Sequence, residues 1–170
     1  MRIKKGYSIW GLFHTEEKIY LDQIKFTVQK ELISPKFESH ITIAGPYLKI
    51  NVSFLNKLEK FVKNCSSIIL KIKGYEFKEK FFESFYIAIN KSEELNKIRK
   101  SISDLKKFDS KNNFSPHISM AYGNHPKKEK ELLIPKLPKL NKAIKISKLA
   151  LVEVDEDIKL WKIKKIYDLL

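Results

Sequence analysis

Ser39-His40-Ile41-Thr42-Ile43 and Pro116-His117-Ile118-Ser119-Met120 repeat one device: a histidine, an apolar residue and a hydroxyl residue inside a short strand-like run. Side chains of an extended strand alternate between faces, so His40 and Thr42 share one face while Ile41 and Ile43 share the other. The second stretch sets His117 and Ser119 against Ile118 and Met120 in the same way. If the fold brings the two strands together, two imidazoles and two hydroxyls converge on one spot. Such a set suits acid–base chemistry on a phosphoester.

Outward from these strands, the elements recur in order. Tyr7 to Phe13 is aromatic and apolar, as a buried first strand would be. Thr15 is placed to cap a helix whose apolar stripe, Leu21, Ile24, Val28 and Leu32, has helical spacing; Ser34-Pro35 stops it. The first histidine strand then runs from about Phe37 to Ala44, closed by Gly45-Pro46. A second helix opens near Ser53. Strands follow at about Ser67–Phe77 and Phe81–Ile89, and a third helix opens at Ser92. Asp109 to Asn113 is a polar loop before the second histidine strand, Ser115–Tyr122, which Gly123 closes. Asn124 to Lys142, with three prolines and many lysines, predicts a surface excursion. Ile144–Val154 and Ile158–Tyr167 are alternating strands around Asp155-Glu156-Asp157. The order strand, helix, histidine strand occurs twice, which predicts an α+β protein of two similar lobes, each an antiparallel sheet backed by helices, in one domain over 1–170.

Composition narrows the function classes. The hydrophobic share of 43% suits a globular protein, and no apolar run approaches the roughly 20 residues of a membrane-spanning helix. Tyr7–Phe13 is too short and aromatic for a signal peptide, so a cytoplasmic protein that does not bind membranes is expected. The single cysteine, Cys65, excludes an internal disulfide and leaves no cysteine framework for metal; it reads as structural. Four scattered histidines lack zinc-like spacing, and no metal or other cofactor is expected. The net charge of +14 invites nucleic acid, but of the 34 basic residues only Arg2 and Arg99 are arginines. A lysine-rich surface without arginine clusters is ordinarily a solvated face, although its field still favours a phosphate-bearing ligand.

Cleaving a phosphodiester needs a base for the attacking oxygen and an acid for the leaving one. Imidazole can hold either role near neutrality. Charge growing on the phosphoryl oxygens can be met by preorganised hydroxyl donors, and Thr42 and Ser119 lie on the correct faces. One His-x-Thr/Ser triplet is a common accident; two, each inside an apolar strand ending in a small-residue turn, are less so. Tyr122, near the end of its strand, could stack on a base, touch phosphate or simply pack. Trp10, Phe13, Phe82 and Tyr86 could line a base pocket, but the ordinary role of strand aromatics is core packing. His14 and His125 have no matching hydroxyl and are expected to be exposed.

The paired triplets His40-Ile41-Thr42 and His117-Ile118-Ser119, 77 positions apart, resemble the hallmark of the two-histidine (2H) phosphoesterase superfamily. The opening Tyr7-Ser8-Ile9-Trp10-Gly11-Leu12 and the approaches Pro35-Lys36-Phe37-Glu38-Ser39-His40 and Ser115-Pro116-His117 look like its plant and yeast cyclic phosphodiesterase branch. The resemblance implies a bilobal fold of two antiparallel sheets with helices outside and a central groove. It also implies metal-independent hydrolysis of a nucleoside 2',3'-cyclic phosphate or ADP-ribose 1'',2''-cyclic phosphate; separately, a monomer is expected. By the same resemblance His117 would be the base, His40 the acid, and Thr42 and Ser119 the phosphate holders. Two alternatives stand beside it. One is a 2H enzyme for cyclic oligonucleotides, 2'-5' oligomers or RNA ends; the other is a nucleotide- or RNA-binding module without turnover.

Overall fold

A computed structural model describes residues 5–106 and 114–170; the polar loop expected at 109–113 lies outside them. The described residues form seven strands: β1 (Gly6–Phe13), β2 (Ile41–Tyr47), β3 (Ile68–Phe77), β4 (Phe85–Ile89), β5 (His117–Ala121), β6 (Ala143–Val154) and β7 (Lys162–Asp168). Helices α1 (Thr15–Glu31), α2 (Val52–Val62), α3 (Glu93–Lys106) and α4 (Lys127–Leu133) flank them. Among the described residues no helix is long and apolar enough to cross a membrane.

The predicted repeat is visible as β1-α1-β2 and β4-α3-β5. The two sheets expected from sequence are instead one antiparallel network, ordered β1-β2-β5-β4-β3-β6-β7, with β1 also paired to β6. Two features join the halves. β6 is twelve residues long; its start pairs with β3 (Ile144 opposite Leu70) and its later part with β7 (Leu149 opposite Tyr167), while β1 follows its other edge. The second join is narrow, a pairing of β2 with β5 centred on Ile41 and Ile118.

Helix placement tightens that seam. α1 packs against β5 and α3 against β2, so each helix covers the histidine strand of the other repeat. Leu21, Ile24 and Val28 of α1 and Leu95, Ile98 and Ile102 of α3 meet Ile41, Ile43, Ile118 and Met120 in one core. Full burial of each isoleucine at the seam stabilises by about 1.5–3 kcal/mol. Gly11 completes the fit from β1: a β-carbon there would stand 2.8 Å from Ile41 Cγ2 and 2.7 Å from Ile146 Cδ1. Only a residue without a side chain lets these two isoleucines close over the strand.

Several boundaries differ from the sequence expectations. Thr15 is the first helical residue of α1 and His14 occupies the cap position without a side-chain bond, leaving Glu16 and Glu17 to complement the helix dipole. Ser92 does cap α3, its Oγ accepting from Leu95 N at 3.1 Å. The first histidine strand starts at Ile41 and not near Phe37, so His40 immediately precedes it, and Gly45-Pro46 does not close it, since β2 continues to Tyr47. Phe81–Glu83 is a 3-10 turn rather than the start of β4. The excursion at 124–142 contains α4, whose Leu133 and Lys130 are buried; the Lys130 ammonium donates to the Lys78 carbonyl at 2.9 Å. Its lysines masked an apolar anchor.

Candidate active site

The alternation predicted for the histidine strands holds. Ile41, Ile43, Ile118 and Met120 face the core, while His40, Thr42, His117 and Ser119 line a single cavity of about 230 Å³. Antiparallel register through Ile41 and Ile118 sets His40 across from Ser119 and Thr42 across from His117. Each imidazole therefore faces the hydroxyl of the other triplet, about a local two-fold between the strands.

The backbone fixes both rings in the same way. His40 Nδ1–H donates to the Glu38 carbonyl at 2.7 Å, and His117 Nδ1–H donates to the Ser115 carbonyl at 2.8 Å. A carbonyl only accepts, so Nδ1 carries the proton and Nε2 keeps its lone pair in the neutral ring. This is one nitrogen per histidine free to take up or release a proton.

The surroundings break the symmetry. His40 is 5% exposed and stacks on Trp10 with centroids 3.6 Å apart and planes 9° from parallel. Burial pushes its pKa down to about 3; the Glu38 carbonyl opposes this, while Lys25 and His117 add to it. Burial also lowers His117 and the Lys78 charge adds to it, but there both the Ser115 carbonyl and the Glu83 carboxylate pull the other way. Glu83 lies in the same cavity wall and is paired with Lys78, and with Lys80 at 3.5 Å. Burial would raise Glu83; the hydrogen bond and charge of Lys78 outweigh that and hold it below the usual carboxylate range.

The approach to His40 is clamped by α1. Lys25 Nζ donates to the Phe37 carbonyl at 2.8 Å, Ser39 Oγ donates to Asp22 Oδ1 at 2.8 Å, and Lys18 lies 3.2 Å from Glu38 Oε1. Three consecutive residues before the histidine are thus anchored, including the one whose carbonyl orients the ring.

Of the aromatics raised by sequence, Trp10, Phe82 and Tyr122 line the cavity. Tyr122 is buried against Phe37 (4.1 Å between centroids) and Phe82 (5.2 Å), and burial pushes its hydroxyl up against a hydrogen bond with Ser119. Phe13 is in the core and takes no part in a base pocket. Tyr86 is buried with its ring 4.9 Å from that of His117. His14 is exposed, but His125 is not loose: its Nε2–H donates to the Ile33 carbonyl at 2.7 Å and its Nδ1 accepts from Ser84 Oγ at 2.8 Å. Sequence reasoning missed Ser8, Pro46, Glu83, Val154 and Trp161 in the wall. Trp161 is held by its indole N–H, which donates to the Asp155 carbonyl at 2.8 Å, and stands edge-on to both Trp10 and His40. A lone tryptophan beside a turn was its only signal.

Comparison with known proteins follows the same lines. Residues 20–158, which include both triplets, match the family model of the 2'-5' RNA ligase superfamily. No curated protein matches the chain in sequence. Among solved structures, TT0787 of Thermus thermophilus has a TM-score of 0.66 at 14% identity, over 96% of this chain and 97% of that one. E. coli LigT complexed with 3'-AMP gives 0.64 at 10% identity, over 98% and 99%. Kluyveromyces marxianus Usb1 gives 0.51 at 12% identity, over 96% and 97%. At such identities these structures establish a shared fold, and the family match extends it to ancestry: the chain belongs to the 2'-5' RNA ligase superfamily, the LigT-like 2H phosphoesterases.

Proposed function

We propose that the protein is a metal-independent phosphodiesterase that opens a cyclic nucleotide phosphate, either a nucleoside 2',3'-cyclic phosphate or ADP-ribose 1'',2''-cyclic phosphate. The observation that carries this is the pair of imidazoles in one cavity, each with Nδ1 on a backbone carbonyl and each opposite the other triplet's hydroxyl. Membership of the superfamily points to phosphodiester chemistry on RNA or nucleotides, and LigT has been solved with 3'-AMP, phosphate, ATP and NADP+.

With the phosphate between the strands, Thr42 and Ser119 donate to its non-bridging oxygens. One imidazole takes a proton from water as the new P–O bond forms. The other gives its proton to the sugar oxygen as the old P–O bond breaks. The ring left protonated and the ring left neutral exchange roles through solvent before the next cycle. We assign the base to His40 and the acid to His117, the reverse of the order implied by family resemblance. A single proton entering this site is held where Glu83 attracts it, on His117, rather than on the more buried ring beside Lys25.

The test is a product assay on 2',3'-cyclic mononucleotides, ADP-ribose cyclic phosphate, cyclic oligonucleotides and 2'-5' oligomers. His40→Ala and His117→Ala should each remove most turnover while binding persists, and activity should survive EDTA. Unchanged turnover in either variant, or EDTA loss restored by a divalent ion, overturns the mechanism. Nucleotide binding without any product would instead leave a binding module.

A further inference from the structure

A second cavity, of about 400 Å³, lies directly behind the first and shares Trp10 and Trp161 with it as a common wall. The first, at about 230 Å³, is smaller than the roughly 300–1,000 Å³ typical of ligand sites, enough for a phosphate and its sugar but short of a whole extended nucleotide. The second carries a different chemistry. Lys36, Lys159 and Lys162 reach it from the segment before β2, the 3-10 turn Ile158–Leu160 and the start of β7. None of these three ammonium groups is in an ion pair among the described residues. The acid in that wall, Glu38, is already paired with Lys18. Apolar surface comes from Phe37 and from the face of Trp161, which its bond to Asp155 keeps in place.

The geometry points to a second anion subsite: the cavity behind Trp161 holds a phosphate attached to the far side of the reacting sugar, with Trp161 as a stacking face for the base beyond it. This rests on the phosphodiesterase reading for the identity of the reacting group. Two sources supply such a phosphate, the 5'-phosphodiester of the last nucleotide of an RNA end and the diphosphate of an ADP-ribose derivative. In both, the site is built for a substrate longer than a cyclic mononucleotide. Lysines from these three places suit a phosphate without fixing its orientation, while the indole face of Trp161 accepts any base.

Calorimetric titrations test this without turnover. The probes are 3'-AMP, adenosine 3',5'-bisphosphate, the dinucleotide ApAp with a 3'-terminal phosphate, and ADP-ribose 1''-phosphate. The bisphosphate should bind about tenfold tighter than 3'-AMP, with a steeper fall as salt rises. The gain should vanish in the triple variant Lys36→Gln, Lys159→Gln, Lys162→Gln, whose exposed positions leave folding intact. Of the two longer probes, a gain shared by ApAp only identifies an RNA end, one shared by the ADP-ribose compound only identifies the diphosphate, and one shared by both shows that the subsite takes either. Equal binding of bisphosphate and 3'-AMP overturns the subsite, as does a triple variant that weakens 3'-AMP equally. Should the gain appear without any product from the cyclic forms, the subsite stands and the phosphodiesterase reading falls. Turnover without the gain does the opposite, and no binding by any probe removes both.

Discussion

Replacing His40 by glutamine should make the protein less sensitive to acid, even though it removes a well-packed ring. Burial holds the native imidazole down to about 3 against an ordinary value of 6.5. Between those values the unfolded chain binds a proton that the native state refuses, so stability is full above the unfolded value and declines as pH falls toward the native one. Each pH unit inside that window costs about 1.4 kcal/mol. Lowering the pH from about 7.5 to about 4.5 crosses roughly two such units, so this ring alone removes about 2.7 kcal/mol. Carboxylates that titrate in the same range do so in both proteins and cancel in the difference. Urea unfolding of wild type and His40→Gln at both pH values gives four free energies. At the higher pH the variant should be weaker, having lost the stack on Trp10 and the bond to Glu38. At the lower pH the gap should shrink by about 2.7 kcal/mol or change sign. His40→Phe, which keeps an aromatic ring against Trp10, must show the same narrowing. A gap that stays constant with pH in both variants would mean that His40 is not held neutral by burial, and the acid–base assignment built on that would fail with it.

Further expectations concern turnover and packing. Glu83→Gln removes the carboxylate that raises the proton affinity of His117 and frees Lys78 beside it, so the alkaline limb of the kcat/KM profile should move to lower pH; an unmoved limb argues that His117 is not the acid. Ser119→Ala and Thr42→Val each remove one donor to the phosphoryl oxygens and should cost about 10²–10³ in kcat with little change in KM, a result contradicted by a loss confined to KM. Gly11→Ala drives a methyl group into Ile41 and Ile146 and should destabilise by about 1–3 kcal/mol in urea titrations, while an unchanged midpoint would mean the seam has room to spare.

The two triplets were legible because alternation acts within five residues. Once Ile41 and Ile118 are given to the core, His40, Thr42, His117 and Ser119 have no other side to face. The doubled order of strand, helix and histidine strand was legible for a similar reason, since helical spacing at Leu21, Ile24 and Val28 is local. The closed pairing of strands was not, because it depends on β6 being shared along its length by partners more than 70 residues upstream. The same division runs through the site. Nearly identical triplets describe a symmetric pair of imidazoles, and symmetry alone cannot choose an acid from a base. What distinguishes them comes from outside both motifs: Trp10 from β1 covers one ring, Lys25 from α1 stands near it, and Glu83 from a 3-10 turn attends the other. Of these only Trp10 stood out in the sequence, as a possible pocket aromatic and not as the cover of His40, because each acts through its position around the rings. A repeated motif can therefore supply the chemistry of this site, while direction in the reaction must come from the unrepeated residues that surround it.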